Sequence, residues 1–209
     1  MKRQQAGFTL VEIAIVLVII GLLLGGILKG QEMINSGKIK SMINDMKAVS
    51  IAFYSYQDRY RAIPGDDSAA ATRFTGAVNG SGNGIISGLF SAVAAPGPAA
   101  ESNSYWQHTR MAGFMSGVAT AGAALPPTSS VGGVVGVQNA AYGISGTVAC
   151  SSNVPISIAQ SMDVQLDDGD GTAGIFRAGA VGVIATGAGA GVAYAIATPT
   201  AGVTVCQQL

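Results

Sequence analysis

The chain has 209 residues, a length typical of one domain or of one domain with an added anchor. Its 11 Lys and Arg residues balance 11 Asp and Glu residues, so no strong field favours nucleic acid or another highly charged partner. One histidine and two cysteines exclude a tetrahedral His/Cys zinc site within one chain. Any His-dependent catalytic mechanism would rest on His108 alone. The composition therefore argues against an enzyme.

The N-terminus combines a short basic segment with a long apolar run. Residues 1–7 contain Lys2 and Arg3, and the apolar run extends from Phe8 to Leu28. As a helix this run is about 31 Å long at ~1.5 Å per residue, enough to cross a bilayer core of about 30 Å. Basic residues before a spanning helix keep the N-terminus in the cytoplasm. The run is predicted to span the membrane once, with the rest of the protein exported.

Three interpretations of this segment compete. A secretory signal peptide would end in a small-residue cleavage site, but the run ends in GGILKGQEM. A plain anchor leaves Glu12 unexplained, because an acid inside a spanning helix costs on the order of a few kcal/mol. The third interpretation rests on the sequence Gly-Phe-Thr-Leu-Val-Glu at 7–12. This motif resembles the class III signal of type IV pilins and type II secretion pseudopilins, and it accounts for both Glu12 and the Gly7-Phe8 junction.

The resemblance implies a processing and assembly pathway. A prepilin peptidase of the membrane would cut after Gly7 and N-methylate the new Phe8 terminus, and Glu12 would act in assembly. The implied partners are identical or related pilin subunits in a helical filament. Physically, the Phe8 ammonium of one subunit pairs well with Glu12 of a staggered neighbour, because an ion pair is strong in low dielectric. The uncut precursor lacks that cation, so cleavage would permit polymerisation.

The fold class that we expect is α+β, with a long N-terminal helix and a head that contains an antiparallel sheet. We assign residues 1–7 to the leader, 8–30 to the transmembrane and polymerisation helix, 31–62 to an amphipathic stem helix, and 63–209 to the head. Glycines at 25–30 predict a bend or melting there, since each costs ~1 kcal/mol of helix stability relative to Ala. An apolar stripe of alternating 3- and 4-residue spacing predicts where the stem packs against the head. Its members are Ile39, Met42, Met46, Val49, Phe53, Tyr56 and Tyr60.

Several elements are predicted within the head. Residues 64–104 indicate a long ordered loop or a linker, with NGSGNG at 79–84 as a turn. Ser104 and Gln107 fit a capping box that opens a helix to about 116, in which Trp106 and His108 are expected to serve packing and surface polarity. Residues 155–166 predict a short helix with Pro155 at its first position. Short β-prone runs are expected to form the antiparallel sheet. They are 131–137, 141–149, 174–178, 180–186 and 192–198.

An acidic turn, Asp-Asp-Gly-Asp-Gly-Thr at 167–172, is the candidate metal site. Close carboxylates on a glycine turn suit Ca²⁺, which takes 6–8 oxygen ligands. The turn resembles the acidic loop of calcium-binding major pseudopilins, which implies Asp167, Asp168 and Asp170 as ligands. It lacks the Glu that closes an EF-hand. A solvated turn is the alternative, and no cofactor is required by the sequence.

The two cysteines are the candidate disulfide. Cys150 and Cys206 are exported on the predicted topology and meet an oxidising periplasm. Their pairing would also resemble the C-terminal disulfide loop of many type IV pilins. Two buried free thiols are the alternative.

The sequence therefore predicts a structural protein that catalyses no reaction and binds no nucleic acid. Before assembly it would lie in the inner membrane with a cytoplasmic N-terminus, and afterwards in a periplasmic or extracellular filament. A type IV pilin is the first hypothesis, and a major or minor pseudopilin of a type II secretion system is the second. A membrane-tethered binding or enzymatic domain is a third, but it should show a concentrated catalytic set in the head.

Overall fold

The fold comes from a computed structural model, which describes residues 9–92, 97, 100–120, 124–180, 189–194 and 198–209. The protein divides into two compact units, Met1–Gly37 and Lys38–Leu209. Eight elements follow one another along the described residues. They are α1 Leu10–Tyr60, α2 Ala70–Arg73, α3 Glu101–Met111, β1 Val135–Ala141, β2 Ile144–Pro155, α4 Ile156–Leu166, β3 Phe176–Ala178 and β4 Gly202–Gln208. The predicted α+β class, with a long N-terminal helix and an antiparallel sheet, is confirmed.

Helix α1 begins with an exposed apolar segment in the first unit. Residues 10–29 are all exposed, and this part of α1 is long and apolar enough to cross a membrane. The helix continues without interruption through the glycines at 25–30, so the predicted melting there is wrong. The helical stretches on both sides of the glycines are long, and a helix gains one hydrogen bond for each residue that it propagates.

The later part of α1 lies in the second unit and packs against the core. Five residues of the predicted stripe are buried, and the stripe is confirmed. They are Met42, Met46, Val49, Phe53 and Tyr56. The helix ends at Tyr60, where Arg61 adopts a left-handed conformation with φ +54° and Pro64 follows. This ending is the usual combination of a left-handed C-terminal residue and a later proline.

The sheet has four antiparallel strands in the order β1-β2-β4-β3. Strands β1 and β2 form a hairpin closed by Tyr142 and Gly143, whose φ angles of +51° and +80° suit a tight two-residue turn. The apolar side of the sheet contributes Val137, Val154 and Val205 to the main core, which also contains the stripe of α1.

The strand predictions were correct in part. Three predicted runs overlap β1, β2 and β3, but β4 was not predicted and lies in the centre of the sheet. Of the runs at 180–186 and 192–198, residues 181–186 and 195–197 lie outside the described part of the protein, and residues 192–194 form no strand.

Helices α3 and α4 of the head differ in how well they were predicted. Helix α3 begins at Glu101 after Ala100, which makes no side-chain cap, so the predicted capping box of Ser104 and Gln107 is wrong. Helix α4 occupies Ile156–Leu166 with Pro155 just before its first residue, close to the prediction. Its apolar residues 158, 159 and 162 are buried.

Candidate functional site

The start of α1 is organised by a reciprocal contact between Thr9 and Glu12. Thr9 donates its backbone N–H (2.8 Å) and its hydroxyl (2.7 Å) to Oε2 of Glu12. The Glu12 N–H donates back to Oγ1 of Thr9 at 3.3 Å. The Thr9 carbonyl accepts the first helical hydrogen bond, from Ile13. Thr9 and Glu12 therefore form a capping box, which satisfies N–H groups that a helix start leaves unpaired.

This capping box gives Glu12 a defined position. The side chain folds back toward the N-terminus of α1, where the helix dipole favours a negative charge. The Thr-x-x-Glu pattern at 9–12 is the local signal that sequence reasoning did not use. The predicted cleavage and methylation residues, Gly7 and Phe8, lie outside the described residues.

The helix that follows Glu12 presents small and apolar residues to its surroundings. A Cβ added to Gly21, Gly25, Gly26 or Gly30 would meet no atom within 4 Å. Large side chains between them are also exposed, with Leu22 at 74% and Leu28 at 66% of their full accessible surface. In the described first unit this surface has no intramolecular partner, so it is available to lipid or to another helix.

The acidic turn brings together a different set of carboxylates from the one predicted. Oxygens of Asp163, Asp167 and Asp168 lie within 4.8 Å of one another. Asp170 instead accepts hydrogen bonds from the N–H (3.0 Å) and hydroxyl (2.7 Å) of Thr172. Asp163, missed from the sequence, comes one helical turn before Asp167 on α4, and this spacing of four residues was the available signal.

Asp163 is the buried member of this group of three carboxylates. Burial raises the pKa of Asp163, and the neighbouring charges of Asp168 and Asp167 raise it further. Its two oxygens accept hydrogen bonds from the Gly169 N–H (3.1 Å) and the Tyr194 hydroxyl (2.7 Å). Three carboxylates held this close repel one another, and a bound Ca²⁺ would remove that repulsion.

The acidic and polar residues of α3 hold the loop that precedes it. Nine consecutive residues, 101–109, are buried although most are polar. The Glu101 carboxylate accepts the N–H groups of Ser81 (2.7 Å) and Ser87 (2.8 Å). Tyr105 donates its hydroxyl to the Val49 carbonyl of α1 at 2.8 Å. Burial of Glu101 and Tyr105 is stable because their side chains find backbone partners, whereas Ser102 Oγ and Trp106 Nε1 have no partner within the described residues.

His108 is part of this hydrogen-bonded framework. Its Nδ1 accepts the Gly65 N–H at 2.9 Å, so Nε2 carries the proton and donates to the Val78 carbonyl at 2.8 Å. Burial lowers the pKa of His108 and keeps the ring neutral. Both ring nitrogens bind backbone groups, which supports the packing interpretation of His108. The expected surface polarity is wrong, because the ring is fully buried.

Asp67 connects α1 to the same loop. It accepts hydrogen bonds from the Tyr56 hydroxyl (2.7 Å), the Ala69 N–H (2.9 Å) and Arg73. Burial alone would raise the pKa of Asp67, but these donors together lower it. The carboxylate is therefore ionised and fixes the path of the backbone as it leaves α1.

Cys150 and Cys206 are joined by a disulfide. They face each other across the central strands, as paired residues of β2 and β4, and both are fully buried. A second, smaller apolar cluster surrounds them. It contains Phe90, Ala141, Tyr142, Ile144 and Val148.

Comparison with known proteins places the N-terminus in a defined class. A family model described as the prokaryotic N-terminal methylation motif matches residues 2–28. No curated protein and no solved structure is significantly similar to this protein. The matched motif belongs to structural, pilin-type proteins and not to an enzyme family. The protein therefore carries the class III signal of type IV pilins and pseudopilins, followed by the long apolar helix and antiparallel sheet of a pilin-like architecture.

Proposed function

We propose that the protein is a prepilin, a structural subunit that polymerises through its N-terminal helix into a type IV pilus or a related filament. The observation that carries this proposal is the methylation motif at 2–28, with Glu12 fixed at the start of an exposed apolar helix. Peptidase cleavage after Gly7 would release a Phe8 ammonium. In a bundle of such helices, that ammonium and Glu12 of a neighbouring subunit would neutralise each other.

The proposal includes a location and a set of partners. Before assembly, the apolar part of α1 would hold the subunit in the inner membrane with the N-terminus in the cytoplasm. The prepilin peptidase would act there. Identical or related subunits would then replace lipid around α1, because the glycines permit close approach of helices.

A pseudopilin of a type II secretion system is the second candidate. The acidic turn favours it, because the Asp-Asp-Gly sequence at 167–169 resembles the calcium loop of major pseudopilins. Deleting the gene separates the two candidates. Loss of surface filaments indicates a pilin, whereas loss of protein export with intact surface filaments indicates a pseudopilin.

The mature protein is expected to begin at Phe8 with an N-methylated amine. The peptidase recognises the Gly7-Phe8 junction, and the basic leader is lost with it. Intact-mass analysis and N-terminal peptide sequencing of the exported protein check this expectation. Substitution of Gly7 by Leu should leave the precursor uncut. A mature terminus beyond Gly30 would contradict the proposal, because it would indicate removal of the whole apolar helix.

Calcium is expected to stabilise the head through Asp163, Asp167 and Asp168. A cation bound only by the folded state stabilises it by about 2.7 kcal/mol at a hundredfold excess over Kd. The melting temperature should then rise by roughly 5–10 °C, given ~2–4 °C per kcal/mol for a domain of this size. Thermal unfolding of residues 38–209 with calcium and with a chelator measures this difference.

Asp170 provides the matched control for the calcium experiment. Asp168→Ala should abolish the calcium dependence, whereas Asp170→Ala should retain it, because Asp170 binds Thr172 and lies outside the group. If both variants lose the dependence, Asp170 is a ligand as first predicted. If the wild type melts identically with calcium and with chelator, the turn binds no calcium.

A further inference from the structure

The loop between α2 and α3 contains two Asn-Gly pairs, Asn79-Gly80 and Asn83-Gly84. Asn followed by Gly is chemically labile, because a following residue without a side chain leaves its backbone nitrogen free to attack the Asn amide. Asn83 and Gly84 are both exposed, so water reaches this pair. The loop is therefore a place where the protein can change covalently without an enzyme.

The second pair, Asn83-Gly84, is held by hydrogen bonds to the carboxylate of Asp66. The Gly84 N–H donates to Oδ2 of Asp66 at 2.6 Å. The other carboxylate oxygen, Oδ1, accepts the N–H groups of Gly82 (2.6 Å) and Asn83 (3.0 Å) and the Ser81 hydroxyl (2.9 Å). Asp66 itself is only 4% exposed. Backbone N–H groups that converge in this way form a nest for a negative charge, and here the protein supplies the charge itself.

We propose that Asn83 is a deamidation site at which Asp66 slows the reaction in the folded protein. In the reaction, the Gly84 nitrogen bonds to Cγ of Asn83, and the bond between Cγ and Nδ2 of Asn83 breaks. Ammonia leaves with the proton that the Gly84 nitrogen gives up, and a five-membered succinimide remains. Water then opens one of the two imide C–N bonds to give Asp or isoAsp at position 83.

Asp66 opposes the first step in two ways. The attack requires the Gly84 nitrogen to lose its proton, and a hydrogen bond to a carboxylate directs that N–H away from Asn83 and stabilises it. The carboxylate is far too weak a base to remove an amide proton, and its charge raises the energy of the anion that would form beside it.

The side chain of Asn83 is restrained as well. Its Oδ1 accepts the Ile85 N–H at 2.9 Å, which restricts rotation of the amide. Deamidation of Asn83 would add a carboxylate close to Asp66, and an isoAsp product would also lengthen the backbone by one carbon. Both products would weaken the nest, so one event would loosen the loop that α3 holds.

The test compares deamidation at Asn83 in the folded and unfolded full-length wild-type protein. Both are incubated at mildly alkaline pH, with urea for the unfolded sample, and peptide mass spectrometry follows Asp and isoAsp at each position. We expect Asn83 to react about tenfold more slowly in the folded protein, since a hydrogen bond to a charged group is worth about one such factor. Equal rates, or a faster folded rate, would overturn the proposal.

Two variants distinguish the effect of the Asp66 carboxylate on the deamidation rate from the effect of general order in the loop. Asp66→Asn should bring the folded rate at Asn83 close to the unfolded rate. Glu101→Gln weakens the hydrogen bonds that hold the loop at Ser81 and Ser87 but leaves the contact between Asp66 and Gly84. It should therefore leave the folded deamidation rate at Asn83 well below the unfolded rate. Asn79 is the internal reference in the Asp66 variant, because the Gly80 N–H donates to the Asp67 backbone carbonyl (2.9 Å). A rise at Asn79 equal to that at Asn83, or a rise in Glu101→Gln alone, would overturn the role of Asp66.

Discussion

Replacement of Glu12 by Gln or Ala is expected to leave processed subunit in the membrane while filaments are lost. Either change removes the only acidic residue before Glu32, so a neighbouring Phe8 ammonium would be buried without a partner. Removing one member of a buried ion pair costs about 3–5 kcal/mol, and each subunit of a filament would bear that cost. Filaments counted by electron microscopy, against processed subunit measured in membranes, give the result.

Thr9 provides the graded control for Glu12. Thr9→Ser keeps the hydroxyl that binds Glu12 at 2.7 Å and should assemble normally, whereas Thr9→Val keeps the shape and loses that contact. We expect fewer filaments from the valine variant, since among the described residues Glu12 would then retain only the backbone N–H of residue 9 as a local donor. Normal filament yield from both Glu12 variants would refute the pairing role.

Loss of the disulfide should produce the largest stability change in the head. Cys150 and Cys206 are 56 residues apart, and closing a loop of this size restricts the unfolded polypeptide by about 4 kcal/mol in the entropic model. Reduction should then lower the melting temperature of residues 38–209 by roughly 8–16 °C. Calorimetry or circular dichroism with and without reductant measures the shift.

A double variant distinguishes the effect of losing the disulfide from any other effect of the reductant on the melting temperature. Cys150→Ser with Cys206→Ser should melt near the reduced wild type and show no further change on reduction. The calcium response of the acidic turn should persist in both, because the sulfurs belong to the smaller apolar cluster of the sheet. Alkylation of two free thiols in the native exported protein would contradict the bond.

The parts of the structure that sequence predicted depend on short-range patterns. The stripe from Met42 to Tyr56 repeats at helical spacing, and one buried face is enough to produce it. The Thr9–Glu12 capping box is equally local, and a search for Thr-x-x-Glu would have found it. The fold class and the membrane-spanning length of α1 could be predicted for the same reason.

The remaining features depend on contacts between distant residues. Asp66 binds amides 16 to 18 residues later, and no spacing rule connects an acid to such a loop. Strand β4 contains the β-prone run Val203-Thr204-Val205, which was overlooked, whereas its place between β2 and β3 depends on pairing with distant strands. Helix α3 has too few apolar residues for its sequence to indicate burial. Many of its polar side chains bind backbone groups of a loop, and the course of that loop depends on contacts between residues distant in sequence.

The polar character of α3 has a thermal consequence. Unfolding the head would expose nine consecutive buried residues of α3, most of them polar, together with its apolar core. Newly hydrated polar surface reduces the heat capacity of unfolding, whereas apolar surface increases it. The heat capacity change of the head should therefore fall below the usual ~12–15 cal/mol/K per residue. A smaller change flattens the curve of folding free energy against temperature, so the stability of the head varies less with temperature than that of a domain of equal size whose buried surface is more apolar.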